Sequence, residues 1–216
     1  MKQNFTILFD LDGTLVDTAP DLMRAHNHVM KKFGYPTKST DEIRNLVGQG
    51  AGAMLGRSIW GQAKKEFGKV QNEKIKKEMV KDFVDFYGKN IVNESKLING
   101  VKEFLAWCKK KNISMAVCTN KQEHLAIDLL KKIGIYDFFE YVAGHNTFEY
   151  CKPDPRHLTT TIEILDGDKS KSIMIGDSET DANAAKAAEI PIILLKYGYT
   201  EKRSEEIYHN HLIKDF

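Results

Sequence analysis

The sequence predicts an α/β fold: a doubly wound parallel sheet, interrupted after its first strand by a helical insertion. Three observations support this. From residue 97 onward, helix-like and strand-like segments alternate. The strand-like pieces are continuous apolar runs, as expected for parallel strands covered on both faces. Between Asp17 and about Leu97 no convincing strand is found, only amphipathic helical stretches.

The first apolar run, FTILF at 5–9, ends in FDLDGTLVDT, where Asp10 and Asp12 precede Gly13 and Thr14. Side chains alternate along a strand, so both carboxylates would project to one side with no basic residue between them. Asp-Gly alone is also a common turn dipeptide, so the rest of the chain must decide. The insertion follows, with helical patterns at DLMRAHNHVMKKFG (21–34), STDEIRNLV (39–47), AMLGRSIWGQAKKEF (53–67) and NEKIKKEMVKDFVDFYGKN (72–90). Gly34 and then Pro36 stop the first of these; Ser39 or Thr40, ahead of Asp41 and Glu42, caps the second. The α/β pattern then resumes as VKEFLAWCKKK, ISMAVCT, EHLAIDLLKKIG, EYVAG, RHLTTTIEIL, SIMIGD, ETDANAAKAAE and IPIILL. The expected division is a core of residues 1–16 and 97–216 with a helical domain at 17–96.

Composition narrows the function. The chain has 216 residues, 42% hydrophobic and 29% charged, enough for one buried core plus an insertion. Its 32 basic and 30 acidic residues are interspersed, so nucleic acid is not expected as a partner. Lys-rich stretches at 63–69 and 74–81 read as solvated helix faces. Cys108, Cys118 and Cys151 are odd in number and lack C-x-x-C spacing, which suggests reduced thiols and a cytoplasmic location rather than disulfides or zinc. The pairs His26 and His28, and His209 and His211, read as surface residues. No stretch approaches membrane-spanning length, and the short N-terminal apolar run does not suit a signal peptide.

In an open parallel sheet, ligands bind outside the carboxyl ends of the strands. Four segments there carry suggestive chemistry: Asp10 and Asp12; Thr119 and Asn120 after AVCTN; Lys152 in CKPDP; and Gly176, Asp177 and Asp181 in IMIGDSETD. Each has a plain alternative. Thr119 and Asn120 can cap a helix, Asp154 and Pro155 can be an N-cap and first helical residue, and Asp177 and Asp181 can complement a helix dipole. Together they supply what a phosphoryl group needs: a nucleophile, oxygen ligands for a hard cation, hydroxyl and amide donors, and a fixed positive charge.

The segments DLDGTLVD, CTNK, CKPDP and GDSETD, in this order, resemble the four motifs of the haloacid dehalogenase superfamily. The helices after the first motif resemble its members with a small helical cap over a Rossmann-like core, and VDTAPDL at 16–22 with VGQGAGAMLGRSI at 47–59 resembles the phosphoglycolate phosphatases among them. The resemblance implies a phosphatase acting on a small phosphorylated metabolite, 2-phosphoglycolate above all, with Asp10 as nucleophile and Asp12 as acid and then base. It implies Mg²⁺ held by Asp10, the Asp12 carbonyl and Asp177, supported by Asp181, with Thr119, Asn120 and Lys152 on the phosphoryl oxygens. A sugar-phosphate phosphatase or a β-phosphoglucomutase-like enzyme would share these motifs, and a noncatalytic phospho-ligand binder is a further alternative. Asp12 argues against a dehalogenase. The run at 48–53 matches G-x-G-x-x-A, but it follows a helical pattern instead of a strand, so a dinucleotide loop is rejected. Amides around Gly50 and the Arg57 guanidinium are the expected readers of the substrate's nonreacting end, the plain alternative being a surface Arg57 and glycines at a close helix–helix contact. Composition and motifs leave the oligomeric state open.

Overall fold

The computed structural model describes residues 5–60 and 73–216. The Lys-rich stretch at 63–69, and the parts of the third and fourth expected insertion helices between 61 and 72, lie outside the described residues. In chain order the strands are β1 (Thr6–Phe9), β2 (Val16–Asp17), β3 (Lys96–Leu97), β4 (Ser114–Cys118), β5 (Tyr141–Ala143), β6 (Ser172–Gly176), β7 (Ile192–Leu195) and β8 (His211–Ile213). The helices are α1 (Ala19–Phe33), α2 (Thr40–Arg44), α3 (Ala51–Trp60), α4 (Glu73–Lys89), α5 (Val101–Lys110), α6 (Glu123–Ile133), α7 (Arg156–Ile164) and α8 (Glu179–Ala187).

Six strands form one parallel sheet in the order β5-β4-β1-β6-β7-β8. The expected strands all appear. β8 is an addition, because HLI is too short and too mixed to stand out until it pairs with β7. Both sheet faces are covered, which explains why the strands read as apolar runs instead of alternating patterns. Ile7, Phe9, Met115 and Val117 pack to one side with Leu105 of α5 and Leu129 of α6. Leu8, Ala116 and Met174 pack to the other with Leu158 of α7 and Ala184 of α8. The order reverses at β1, so that strand delivers its C-terminal residues to the crevice where α/β folds bind ligands.

Helices α1 to α4 occupy the insertion. Its outgoing and returning chains pair as the antiparallel ribbon β2–β3, Val16 opposite Leu97 and Asp17 opposite Lys96. Buried Asp21, in the first turn of α1, fastens the return: one carboxylate oxygen accepts from Glu94 N at 3.0 Å, Ser95 N at 2.9 Å and Ser95 Oγ at 2.7 Å. Gly34 ends α1 in the left-handed conformation, φ 77°, where a side chain would be strained. Ser39 caps α2 in a reciprocal box with Glu42.

His26 corrects an expectation. It is buried, not at the surface, because Leu22, Ala25, His26, Val29 and Met30 form the inward stripe of α1. Its ring nitrogens meet Asn27 Oδ1 at 2.9 Å and Ser58 Oγ at 2.7 Å, and burial lowers its pKa. Among the described residues no helix is long and apolar enough to cross a membrane.

Candidate active site

At the end of β1 the Asp10 N–H completes the ladder by donating to Ile175 O at 2.9 Å. The chain then turns sharply, with Gly13 N–H donating to Val16 O at 2.9 Å. Gly13 has φ +87°, and a Cβ there would collide with the Asp177 carboxylate, so this turn requires glycine. The turn thus lies against the Asp177 carboxylate that follows β6.

Lys152, 3% exposed, bridges two acids, with Nζ 2.7 Å from Asp10 Oδ1 and 2.6 Å from Asp181 Oδ1. The other Asp181 oxygen accepts from Ser178 Oγ at 2.7 Å, Ser178 N at 3.1 Å and Asp177 N at 3.2 Å, which caps α8 and holds the carboxylate still. Asp177 accepts the Thr14 hydroxyl at 2.8 Å on one oxygen and Tyr199 N–H at 2.5 Å on the other. Burial, against the pull of Lys152, pushes the Asp10 carboxyl up to about 7. Burial and the neighbouring Asp10 and Asp181 carboxylates also hold Asp177 well above its ordinary range. Burial alone would lower the Lys152 pKa, but Asp10 and Asp181 outweigh it and keep the ammonium charged.

Asp10, Asp177 and Asp181 each offer a carboxylate oxygen within 4.8 Å of the others. Burial is the largest cause of the raised Asp10 and Asp177 pKa values, and repulsion among three carboxylates that face one ammonium adds to it. All the donors are hard oxygens. The set therefore fits a divalent cation that prefers oxygen ligands.

Thr119 and Asn120 follow β4, but they do not cap α6, whose N-cap is Gln122. Thr119 Oγ1 accepts from Lys121 N at 3.1 Å. The Asn120 side-chain amide donates to Gly48 O at 3.0 Å and to Lys152 O at 2.8 Å, tying the insertion to the core. Asp154 stands one residue outside the expected cap geometry: α7 begins at Arg156, whose N–H donates to Asp154 Oδ1 at 2.9 Å.

These side chains open into a cavity of about 330 Å³. Its floor is Asp10, Asp12, Lys152 and Asp177, and the insertion contributes Gly50, Met54, Phe83 and Tyr87. Gly50 therefore meets the cavity with Thr119 and Asn120, whereas Arg57 is not among its lining residues. The Arg57 guanidinium instead donates to Leu46 O, and to Val47 O at 3.3 Å, bracing the loop before α3. Lys121 is a lining residue that sequence reasoning passed over. Its Nζ lies 2.8 Å from both Asp12 oxygens, while Thr18 Oγ1 donates to Asp12 Oδ1 at 2.6 Å. Its place in CTNK, one residue beyond Asn120, was the available signal.

Comparison with known proteins places the chain among relatives. Residues 7–195 match the haloacid dehalogenase-like hydrolase family. A phosphoglycolate phosphatase of Mesorhizobium japonicum is 37% identical over 210 residues, covering 97% of this chain and 90% of the relative. One from Caulobacter vibrioides is 38% identical, covering 98% and 87%. The crystal structure of a protein from Haemophilus somnus, described as a predicted phosphoglycolate phosphatase, superposes with a TM-score of 0.89 at 30% identity, over 100% of this chain and 96% of that one. The family match spans residues 7–195, and the two relatives are more than 30% identical over nearly the whole chain; the chain belongs to the haloacid dehalogenase-like hydrolase family.

Proposed function

We propose that the chain is a Mg²⁺-dependent phosphatase that hydrolyses a small phosphomonoester, 2-phosphoglycolate, through a phosphorylated Asp10. The observation that carries this reading is the meeting of Asp10, Asp12, Lys152 and Asp177 in one cavity at the end of the central strand. The cavity volume suits a small substrate, and the chain's similarity to phosphoglycolate phosphatases points to this one.

Residues 1–16 and 97–216 form the catalytic core, and 17–96 form a cap. In the first step an Asp10 oxygen attacks phosphorus as the bond to the leaving oxygen breaks, and Asp12 donates a proton to that oxygen. In the second, Asp12 takes a proton from water as the water oxygen attacks the same phosphorus, releasing phosphate and freeing Asp10. Thr119, the Asn120 amide and the Lys152 ammonium hold the phosphoryl oxygens, whose charge they offset during transfer. Mg²⁺ would be held by Asp10, the Asp12 carbonyl and Asp177, with Asp181 alongside; it would favour ionised Asp10 and shield the incoming phosphate from these acids. Gly50 presents its backbone to the substrate from the cap, and Arg57 shapes that loop. The β2–β3 ribbon is the hinge about which the cap closes and excludes water.

Phosphate release with Mg²⁺ across 2-phosphoglycolate, several sugar phosphates and pyrophosphate tests this, compared as kcat/KM. A clear preference for 2-phosphoglycolate is expected, lost on chelation and reduced by at least ~1000-fold in Asp10→Asn. A preferred sugar phosphate would keep the mechanism and replace the substrate. Hydrolysis that survives Asp10→Asn would overturn the mechanism.

A further inference from the structure

The proposed chemistry leaves one buried cation of the cavity without a role. Lys121 is 9% exposed, and its ammonium, held by both Asp12 oxygens, rests 4.6 Å from the centroid of the Tyr87 ring. Tyr87 reaches the cavity from α4 of the insertion, is 1% exposed, and its hydroxyl has no hydrogen-bond partner among the described residues. A buried hydroxyl without a partner is costly, so a tyrosine in this position calls for an acceptor that arrives with a ligand. Burial, with Asp12 and Asp21 nearby, holds the phenol neutral and hence able to donate.

The cavity therefore carries two ammonium groups with different surroundings. Lys152 lies between Asp10 and Asp181, where phosphorus would bind. Lys121 pairs with Asp12 and rests against Tyr87 of the insertion. Arg57 does not line the cavity, and its Nη2 braces the Leu46 and Val47 carbonyls.

We propose that Lys121 and the Tyr87 hydroxyl bind the second anionic group of the substrate, the carboxylate of 2-phosphoglycolate, and that this contact draws the Lys121 ammonium off Asp12. The inference rests on the phosphatase reading above. Without substrate, Lys121 occupies both oxygens of Asp12, so the residue that must protonate the leaving oxygen is tied down. A substrate carboxylate competes for the same three N–H donors and adds the Tyr87 hydroxyl as its own partner. A neutral end group offers no charge with which to compete. Recognition of the far end of the substrate thereby releases the proton-transferring group at the near end, and discrimination is expressed in kcat as well as KM.

The test compares 2-phosphoglycolate with 2-hydroxyethyl phosphate, in which a neutral hydroxymethyl group replaces the carboxylate. Both are measured with Mg²⁺ in wild type, Lys121→Met, Lys121→Arg and Tyr87→Phe. The wild type prefers 2-phosphoglycolate, and in Lys121→Met this preference, taken as the ratio of the two kcat/KM values, falls on the order of 100-fold. Lys121→Arg recovers part of it. Tyr87→Phe, which keeps the ring under the ammonium, lowers the ratio about 5-fold. Equal losses on both compounds in Lys121→Met would make Lys121 a partner of Asp12 alone and overturn the proposal. Should Lys121→Met fail to fold, an unchanged ratio in Tyr87→Phe has the same force. A wild type that hydrolyses both compounds without preference overturns this anion site and leaves the reaction standing; one that hydrolyses neither, yet releases phosphate from a sugar phosphate, overturns the anion site and the 2-phosphoglycolate assignment together, and one that hydrolyses no phosphomonoester removes the phosphatase reading itself.

Discussion

Asp12 shows how little of a side chain's situation its type conveys. The motif predicts a carboxylate two residues beyond Asp10, and the structure adds its restraints: Lys121 on both oxygens and Thr18 on one. On the proposed mechanism, Asp12→Asn should lower kcat by about 100- to 10,000-fold. Steady-state rates should fall while the fold, followed by circular dichroism, persists; a loss below tenfold would remove Asp12 from the chemistry. Gly13 belongs to the same scale. Gly13→Ala introduces a Cβ into the Asp177 carboxylate at a positive φ, so it should lower Tm by several degrees and, on the proposed Mg²⁺-dependent reaction, raise the Mg²⁺ concentration needed for half-maximal activity. Unchanged values in both would mean that the turn relaxes at no cost.

Among elements, the junction between β2 and α1 has a fastening that no local pattern foretells. The Tyr199 hydroxyl donates to Asp17 Oδ1 at 2.5 Å and accepts from Ala19 N–H at 2.9 Å, while Arg44 of α2 holds the other Asp17 oxygen at 2.9 Å. A loop tyrosine 182 residues away in sequence thus satisfies an orphan donor at the start of α1 and secures the insertion's exit from the core. Tyr199→Phe removes both bonds. Amide exchange at residues 16–19 should then accelerate several-fold relative to the β4 strand, and identical protection would show that the junction is held elsewhere. The elements themselves are legible from the apolar runs and caps, because those signals are local. The latch is not, since Tyr199 reads as one more aromatic in YGYT until β7 and the loop after it are in place.

At the scale of the whole molecule, His157 couples stability to pH. It is buried in α7 against Phe148, ring centroids 5.8 Å apart, and burial, helped by the nearby Lys152 ammonium, pushes its pKa down to about 4. A weak approach to the Gly144 backbone only partly opposes this. With the folded pKa below the unfolded value of 6.5, the unfolded chain takes up a proton between these limits that the folded chain refuses. This contribution is complete above about pH 6.5 and is lost as pH falls toward 4, by at most about 3 kcal/mol. Urea midpoints of wild type and His157→Phe should therefore diverge in their pH dependence, the wild type losing more between pH 7 and pH 5. Parallel curves would show that His157 does not titrate in that window.

Legible in the sequence were the fold class, the order of the parallel strands along the chain, and the motif residues Asp10, Asp12, Thr119, Asn120, Lys152 and Asp177 that line the crevice. Apolar runs end where strands end, and in a parallel sheet those ends converge, so Asp10, Thr119 and Asp177 were bound to meet once the βαβ pattern was read. The tertiary structure alone decided the pairings across the cavity. Arg57 turned from it to brace its own loop, His26 became buried in the inward stripe of α1, and Tyr87 of the insertion came to lie beneath Lys121 of the core. The reason is physical: periodicity reports which face of an element is buried, whereas the partner opposite that face depends on how distant elements pack.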